Sequence, residues 1–133
     1  MEIILAINPG STSTKIAIYE DQTEKFTKEI HHSVEELSQF SRIADQKEYR
    51  VKAIIEAILE AGYTLSQFTA VTGRGGLLKP LQAGTYCINK KMVEDASKGV
   101  YGEHASNLGC IIASEIGETY HIPAYTTDPV SVD

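Results

Sequence analysis

The 133-residue chain has few cysteines, few basic residues and no long apolar run, and each shortage excludes a class of protein. The two cysteines, Cys87 and Cys110, form neither a CxxC pair nor a disulfide framework, so we expect a reducing, cytoplasmic location. No apolar run approaches the roughly 20 residues that cross a bilayer, and the N-terminus lacks the basic flank of a signal peptide. Basic residues number 12 against 18 acidic ones, a net charge of −6. That balance argues against nucleic acids and anionic membranes as partners.

The remaining composition is that of a globular domain with an α/β pattern. Hydrophobic residues make up 42% and charged residues 23%, which excludes a disordered chain. Apolar periodicity and turn residues predict the order β-β-β-α-β-α-α-β. The predicted strands are residues 2–8, 15–20, 24–31, 68–72 and 122–127, and the first three are predicted to form an antiparallel meander. The predicted helices begin near residue 33 and then span 46–61, 90–98 and 103–119.

The ends and the inward face of these helices are also predicted. Capping-box patterns at Ser33 and Asp45 predict two helix starts, and Gly62 predicts a helix end. On the helix over 46–61, Leu59 is among the apolar residues at helical spacing that predict the inward face.

A turn of glycine and hydroxyl residues lies between the first two predicted strands. Residues 8–15 read Asn-Pro-Gly-Ser-Thr-Ser-Thr-Lys. Backbone N–H groups and hydroxyls in such a turn can cradle phosphate oxygens. The segment is not a P-loop, because the second glycine of that motif is missing and a strand follows instead of a helix. From the residues alone, an ordinary hairpin turn is an equal alternative.

Three further positions carry side chains that could take part in binding or catalysis. Arg74 stands among glycines at 73, 75 and 76, and its planar guanidinium suits a carboxylate or a phosphate. His104 lies near a predicted helix start, where anions are favoured, and Asp128 follows the last strand. Each has an ordinary alternative: a solvated arginine, helix-capping polarity, or a turn aspartate before proline. The pair His31-His32 is interpreted as a surface feature of a polar strand.

These segments, taken together and in order, resemble the butyrate kinase branch of the acetate kinase-type short-chain carboxylate kinases. The resemblance is carried by residues 7–15, 73–80 and 102–109, with 122–124 and 128–130 in agreement. It spans the whole chain. The second and third segments are typical of the butyrate kinase branch, whereas the first is shared with sugar kinase, actin and Hsp70-like ATPases.

The resemblance implies a ribonuclease H-like βββαβαβα domain with a mixed sheet, incomplete at its C-terminus. Residues 1–133 would be the N-terminal domain of a two-domain kinase whose second domain is absent from this chain. The implied reaction uses ATP and Mg²⁺ to convert butyrate, or a branched short-chain acid, into an acyl phosphate and ADP. A homo-oligomer is implied for the parent protein, and we expect the isolated chain to be inactive.

The resemblance also implies roles for individual residues. Asn8 would face the Mg²⁺–phosphate region, Arg74 would hold the carboxylate, His104 would lie near the transferred phosphoryl group, and Asp128 would be the catalytic acidic residue. The phosphate-side hairpin would consist of Gly10, Ser11, Thr12, Ser13, Thr14 and Lys15. A carboxylate is already ionised at neutral pH and needs no general base, so we expect Asp128 to orient other groups. The alternatives are a non-catalytic ribonuclease H-like assembly module, an acetate or propionate kinase relative, and a sugar kinase relative.

Overall fold

The computed structural model describes residues 2–74, 85–87 and 107–127. Within them lies a six-stranded sheet: β1 (Ile3–Pro9), β2 (Ser13–Glu20), β3 (Thr23–His31), β4 (Ala70–Arg74), β5 (Thr85–Cys87) and β6 (Ala124–Thr127). The helices in these ranges are α1 (Val34–Leu37), α2 (Lys47–Glu60) and α3 (Asn107–Tyr120), with short 3₁₀ turns at Ile43–Gln46 and Leu65–Gln67. The predicted helix over 90–98 lies outside the described residues.

The strand order is β3-β2-β1-β4-β6-β5. The first three strands form the predicted antiparallel meander, and β4 and β6 then join it parallel to β1. This mixed sheet is the arrangement expected of a ribonuclease H-like domain, so the predicted fold class is confirmed. The edge strand β5, antiparallel to β6, was not predicted, because three residues are too few to show a period of two.

Among the described residues, helices α2 and α3 cover one face of this sheet and bury a hydrophobic core. Along β1 the inward side chains alternate with more exposed ones, as a half-buried strand requires. Helices α2 and α3 pack on the inward set and contact each other. The core comprises Leu5, Ile7, Ile16, Ile18, Ile54, Ala57, Ile58, Leu65, Phe68, Val71, Leu108, Ile111, Ile112, Ala113, Ile116 and Ile122. Leu59, predicted to face inward, is 53% exposed, because it lies off the stripe made by Ile54 and Ile58.

The helix ends agree with the sequence signals in two cases and differ in one. The Oγ of Ser33 accepts a hydrogen bond from the N–H of Glu36, as an N-cap does, and Gly62 follows α2 with a φ of 91°. The predicted cap at Asp45 is wrong: α2 begins at Lys47, its N-cap is Gln46, and no side chain caps it. The side chain of Gln46 has another partner, described below.

Candidate functional site

The hairpin between β1 and β2 places two polar side chains side by side on the exposed face. Asn8 is the register partner of Lys15, and both are exposed. Directly opposed residues in an antiparallel pair have Cβ atoms about 5 Å apart, so the amide and the ammonium group can act on one ligand. At the tip, the N–H of Gly10 donates to the carbonyl oxygen of Ser13 at 2.7 Å, which closes the turn and leaves Ser11 and Thr12 exposed.

Thr14 faces the opposite way from Lys15. It is fully buried, and its Oγ1 lies 2.8 Å from Nε2 of His32 and 3.2 Å from Nη1 of Arg50. Alternation along β2 causes this difference, since neighbouring side chains of a strand point to opposite faces. Of the six predicted hairpin residues, 10–15, the structure therefore sets Thr14 apart: its hydroxyl does not reach the exposed side.

A buried arginine that was not predicted as a functional residue contacts the hairpin from the core side. Arg50 on α2 has no exposed surface. Its Nη1 donates to the main-chain oxygens of Gly10 (2.8 Å) and Ser13 (2.9 Å), and its Nη2 donates to that of Ser11 (3.1 Å). Burial lowers the pKa of the guanidinium to about 10, which leaves it protonated at neutral pH.

The side chain of Gln46 fixes the guanidinium of Arg50. Its Oε1 accepts from Nε at 3.0 Å and from Nη2 at 2.8 Å. The side chain of Gln46 thus binds Arg50 instead of capping the N-terminus of α2. The periodicity could have pointed to Arg50, because it stands four and eight residues before Ile54 and Ile58, on the inward stripe of α2. A charged residue on such a stripe needs buried partners.

His32 completes the packing behind the hairpin. It is only 7% exposed, its N–H donates to the carbonyl oxygen of Thr12 at 2.8 Å, and its ring meets Tyr49 edge-on at 5.3 Å. Burial, followed by the charge of Arg50, lowers the pKa of His32 below its ordinary value of 6.5. The prediction of a surface pair is therefore wrong for His32, although His31 is exposed. Alternation along the end of β3 turns the two side chains in opposite directions.

Arg74 is the last residue of β4, and the sheet register brings its main chain to the hairpin edge. Because Ile7 pairs with Gly73 in parallel strands, Arg74 is level with Asn8 one strand away. Arg74 in turn pairs with Thr127, the residue before Asp128. Neighbouring strands lie about 4.8 Å apart, so three strand ends meet along one edge of the sheet. His104 and Asp128 themselves lie outside the described residues.

The part of the chain that the structure describes contains neither a cluster of metal ligands nor a membrane-spanning helix. Residues 2–74, 85–87 and 107–127 contain no group of three or more His, Cys, Asp or Glu side chains able to hold a metal. No helix among them has the length and apolarity to cross a membrane.

Comparison with curated proteins gives strong matches over 130 residues, 98% of the chain. The chain is 54% identical to butyrate kinase 1 of Clostridium acetobutylicum and 48% identical to butyrate kinase 2 of the same organism. It is also 48% identical to a probable butyrate kinase 2 of Caldanaerobacter subterraneus. The chain matches the N-terminal portion of butyrate kinases. It covers only 36–37% of the length of these butyrate kinases, and no protein-family model matches it.

Solved structures of carboxylate kinases share the fold. An acetate kinase from Porphyromonas gingivalis superposes over 96% of the chain with a TM-score of 0.60 and 12% identity. A propionate kinase from Francisella tularensis covers the same share with a TM-score of 0.54 and 14% identity. The chain spans 37% and 36% of those two chains. At such low identity the likeness supports the fold, and the butyrate kinase match rests on the sequence comparison.

Proposed function

We propose that this chain is the phosphate-binding portion of an ATP-dependent carboxylate kinase that converts butyrate, or a branched short-chain acid, into an acyl phosphate. The observation that carries the proposal is the β1–β2 hairpin, whose exposed face presents Asn8 beside Lys15 above the Ser11-Thr12 tip. The 54% identity to a butyrate kinase supports the choice of acceptor.

The hairpin fits the phosphates of ATP. The hydroxyls of Ser11 and Thr12 are exposed and can donate to phosphate oxygens, and the Lys15 ammonium supplies positive charge beside them. Lys15 places an exposed positive charge beside this turn in a chain whose net charge is −6, which favours an anion there. We assign Gly10, Ser11, Thr12, Ser13 and Lys15 to nucleotide binding, with Thr14 acting through its packing.

Mg²⁺ fits this site only as a partner of the nucleotide. The described residues hold no cluster of acidic or histidine ligands, whereas Mg²⁺ in kinases is bound largely by substrate phosphates, waters and one or two protein oxygens. The exposed Asn8 amide oxygen is the protein ligand that we propose. When bound, Mg²⁺ would neutralise charge on the phosphates.

The acceptor side follows from the chemistry of the carboxylate. The substrate is already a nucleophile at neutral pH, so the barrier to overcome is its repulsion by the triphosphate. Arg74, at the end of β4, is suited to hold both carboxylate oxygens, and His104 to donate to the phosphoryl group. Asp128, directly after the register partner of Arg74, would orient these groups rather than remove a proton.

The complete enzyme would need more than this segment. The butyrate kinases that match are nearly three times as long, and we propose that a second domain closes over the nucleotide. We further propose that the parent enzyme is a cytoplasmic homo-oligomer and that residues 1–133 alone bind ATP weakly and transfer no phosphate. Hydroxamate detection of acyl phosphate from the purified 133-residue chain, ATP, Mg²⁺ and butyrate would contradict the last point.

The central test is the acceptor specificity of the full-length gene product. We expect kcat/KM to be higher for butyrate or isobutyrate than for acetate or propionate. Arg74→Ala should lower kcat/KM for the carboxylate by about 10²–10³, the usual effect of losing a group that stabilises transferred charge. Lys52→Ala, which removes an exposed charge from α2, is the control and should change little. ATP binding without acyl phosphate formation would overturn the proposal and favour the non-catalytic assembly module.

A further inference from the structure

Arg50 is a buried cation whose hydrogen-bond partners among the described residues are all neutral. In the described part of the chain, its five-donor fork is met by three main-chain carbonyls, by Gln46 and by the hydroxyl of Thr14, and no ion pair to it is found. Burying a guanidinium without a carboxylate is costly, and an apolar side chain could fill the same space at lower cost. The charge therefore needs an explanation beyond packing.

The three carbonyls determine where the N–H groups of the turn point. In a trans peptide the C=O of one residue and the N–H of the next are antiparallel, and the described residues contain no cis peptide. Since the carbonyls of Gly10 and Ser11 point at Arg50, the N–H groups of Ser11 and Thr12 point away from it. Neither N–H has an acceptor among the described residues.

We propose that Arg50 is a positioning residue for phosphate binding, which holds the hairpin carbonyls inward so that the N–H groups of Ser11 and Thr12 face the phosphate. This inference rests on the proposed function of the hairpin. The N–H dipoles and the fixed charge behind them act in the same direction, because both favour an anion on the exposed side. Such groups are oriented before the ligand arrives, so little reorganisation is needed on binding.

The surrounding contacts support a preset guanidinium. Gln46 accepts two hydrogen bonds from the guanidinium, so its plane is fixed independently of its contacts with the turn. Thr12 is held a second time, because its carbonyl accepts from the N–H of His32 at 2.8 Å. Four consecutive residues, 10–13, thus have each carbonyl engaged, by Arg50, by His32 or by the turn itself.

The test separates phosphate binding from stability. In the full-length gene product, Kd for ATP, inorganic tripolyphosphate and adenosine is measured by calorimetry for the wild type, Arg50→Met, Arg50→Lys and Lys52→Met. Arg50→Met should weaken ATP and tripolyphosphate at least tenfold while adenosine binding is unchanged. Arg50→Lys should restore part of the loss, because it keeps the charge but cannot bridge three carbonyls. Lys52→Met, which removes an exposed charge from the same helix, should bind all three ligands like the wild type.

A second variant covers the case in which Arg50→Met does not fold. Gln46→Leu keeps Arg50 but removes the oxygen that orients its fork, and it should weaken tripolyphosphate at least threefold with an unchanged circular dichroism spectrum. Folded Arg50→Met or Gln46→Leu with wild-type Kd for tripolyphosphate would overturn the positioning role. A wild-type protein that binds tripolyphosphate through Arg50 yet forms no acyl phosphate would refute only the kinase proposal.

Discussion

Gly73 of β4 lies directly against the main chain of Gly109 in α3. A Cβ on Gly73 would overlap the carbonyl oxygen of Gly109 and would approach the Cβ of Ala113 to 3.1 Å. The contact seats the strand that ends at Arg74 against α3. It also explains why a glycine stands inside this strand: Gly73 serves close packing rather than turning.

We therefore expect Gly73→Ala to destabilise the protein by about 3 kcal/mol or more, because backbone must move to admit the methyl group. Urea unfolding of the variant measures this. Gly62→Ala is the matched comparison: nothing lies within 4 Å of an added Cβ, and only its φ of 91° opposes the change. That strain costs about 1–2 kcal/mol. Equal losses in the two variants would contradict the packing explanation.

Lys15 should contribute to nucleotide affinity through its charge. Lys15→Ala in the full-length gene product should raise the KM for ATP about tenfold, and the difference from the wild type should shrink with added salt, which screens exposed charges. Lys25→Ala on β3 removes an equally exposed lysine away from the hairpin and is the control. A KM that stays constant in Lys15→Ala would remove this residue from the site.

Stability should fall on acidification because of His32. Burial and the positive charges of Arg50 and His31 lower its pKa, and the carboxylate of Glu36 opposes the shift without reversing it. Below the ordinary value of 6.5 the unfolded state therefore binds more protons than the folded state. The stabilisation is complete above about pH 6.5 and declines as the pH falls below it.

Urea unfolding between pH 5 and 8 measures this dependence. His32→Gln should flatten the curve below about pH 6.5, since glutamine does not titrate. His31→Gln, which changes the exposed neighbour, should retain most of the slope. A wild-type slope in His32→Gln would assign the acid sensitivity to another group.

Cys110 should be inert while the protein is folded. Its side chain is fully buried in α3, and burial raises the pKa of the thiol from 9.0 to about 12. In a Cys87→Ser background, Ellman's reagent at pH 8 should label Cys110 only at urea concentrations that unfold the chain, because the thiolate is the reactive form. Labelling of the native protein at the rate of a free thiol would show that α3 opens without global unfolding.

Much of the fold could be predicted from the sequence because it depends on local periodicity. The meander of β1 to β3 and the long helix α2 follow from apolar spacing and turn residues, and their bounds agree within two residues. The start of β6 at Ala124 differs by two residues from prediction, and the first four residues of the helix predicted over 103–119 lie outside the described residues. The parallel pairing of β1 with β4 joins residues more than 60 positions apart. Local periodicity cannot show such a pairing, and a mixed sheet was expected only because of the family resemblance.

The sequence predicted the exposed residues of the candidate site but not the buried residues behind them. Asn8 and Lys15 were identified from the turn composition, and the structure places them side by side. Arg50 was not predicted, because the apolar pattern of α2 does not show that the turn between β1 and β2 packs against this helix. His32 was misplaced because its neighbours along β3 are polar.

By itself, the sequence determined the element types and the exposed turn of small polar residues, since each is a property of neighbouring residues. It also determined the likeness to butyrate kinases, which is carried by segments spread along the whole chain. Only the tertiary structure decided that Thr14 turns inward while Lys15 turns outward. It alone placed Arg74 level with Asn8, and Arg50 within 3.1 Å of three hairpin carbonyls. The reason is physical: a buried guanidinium takes whatever acceptors the folded chain brings to it, and those acceptors lie 37 to 40 positions away.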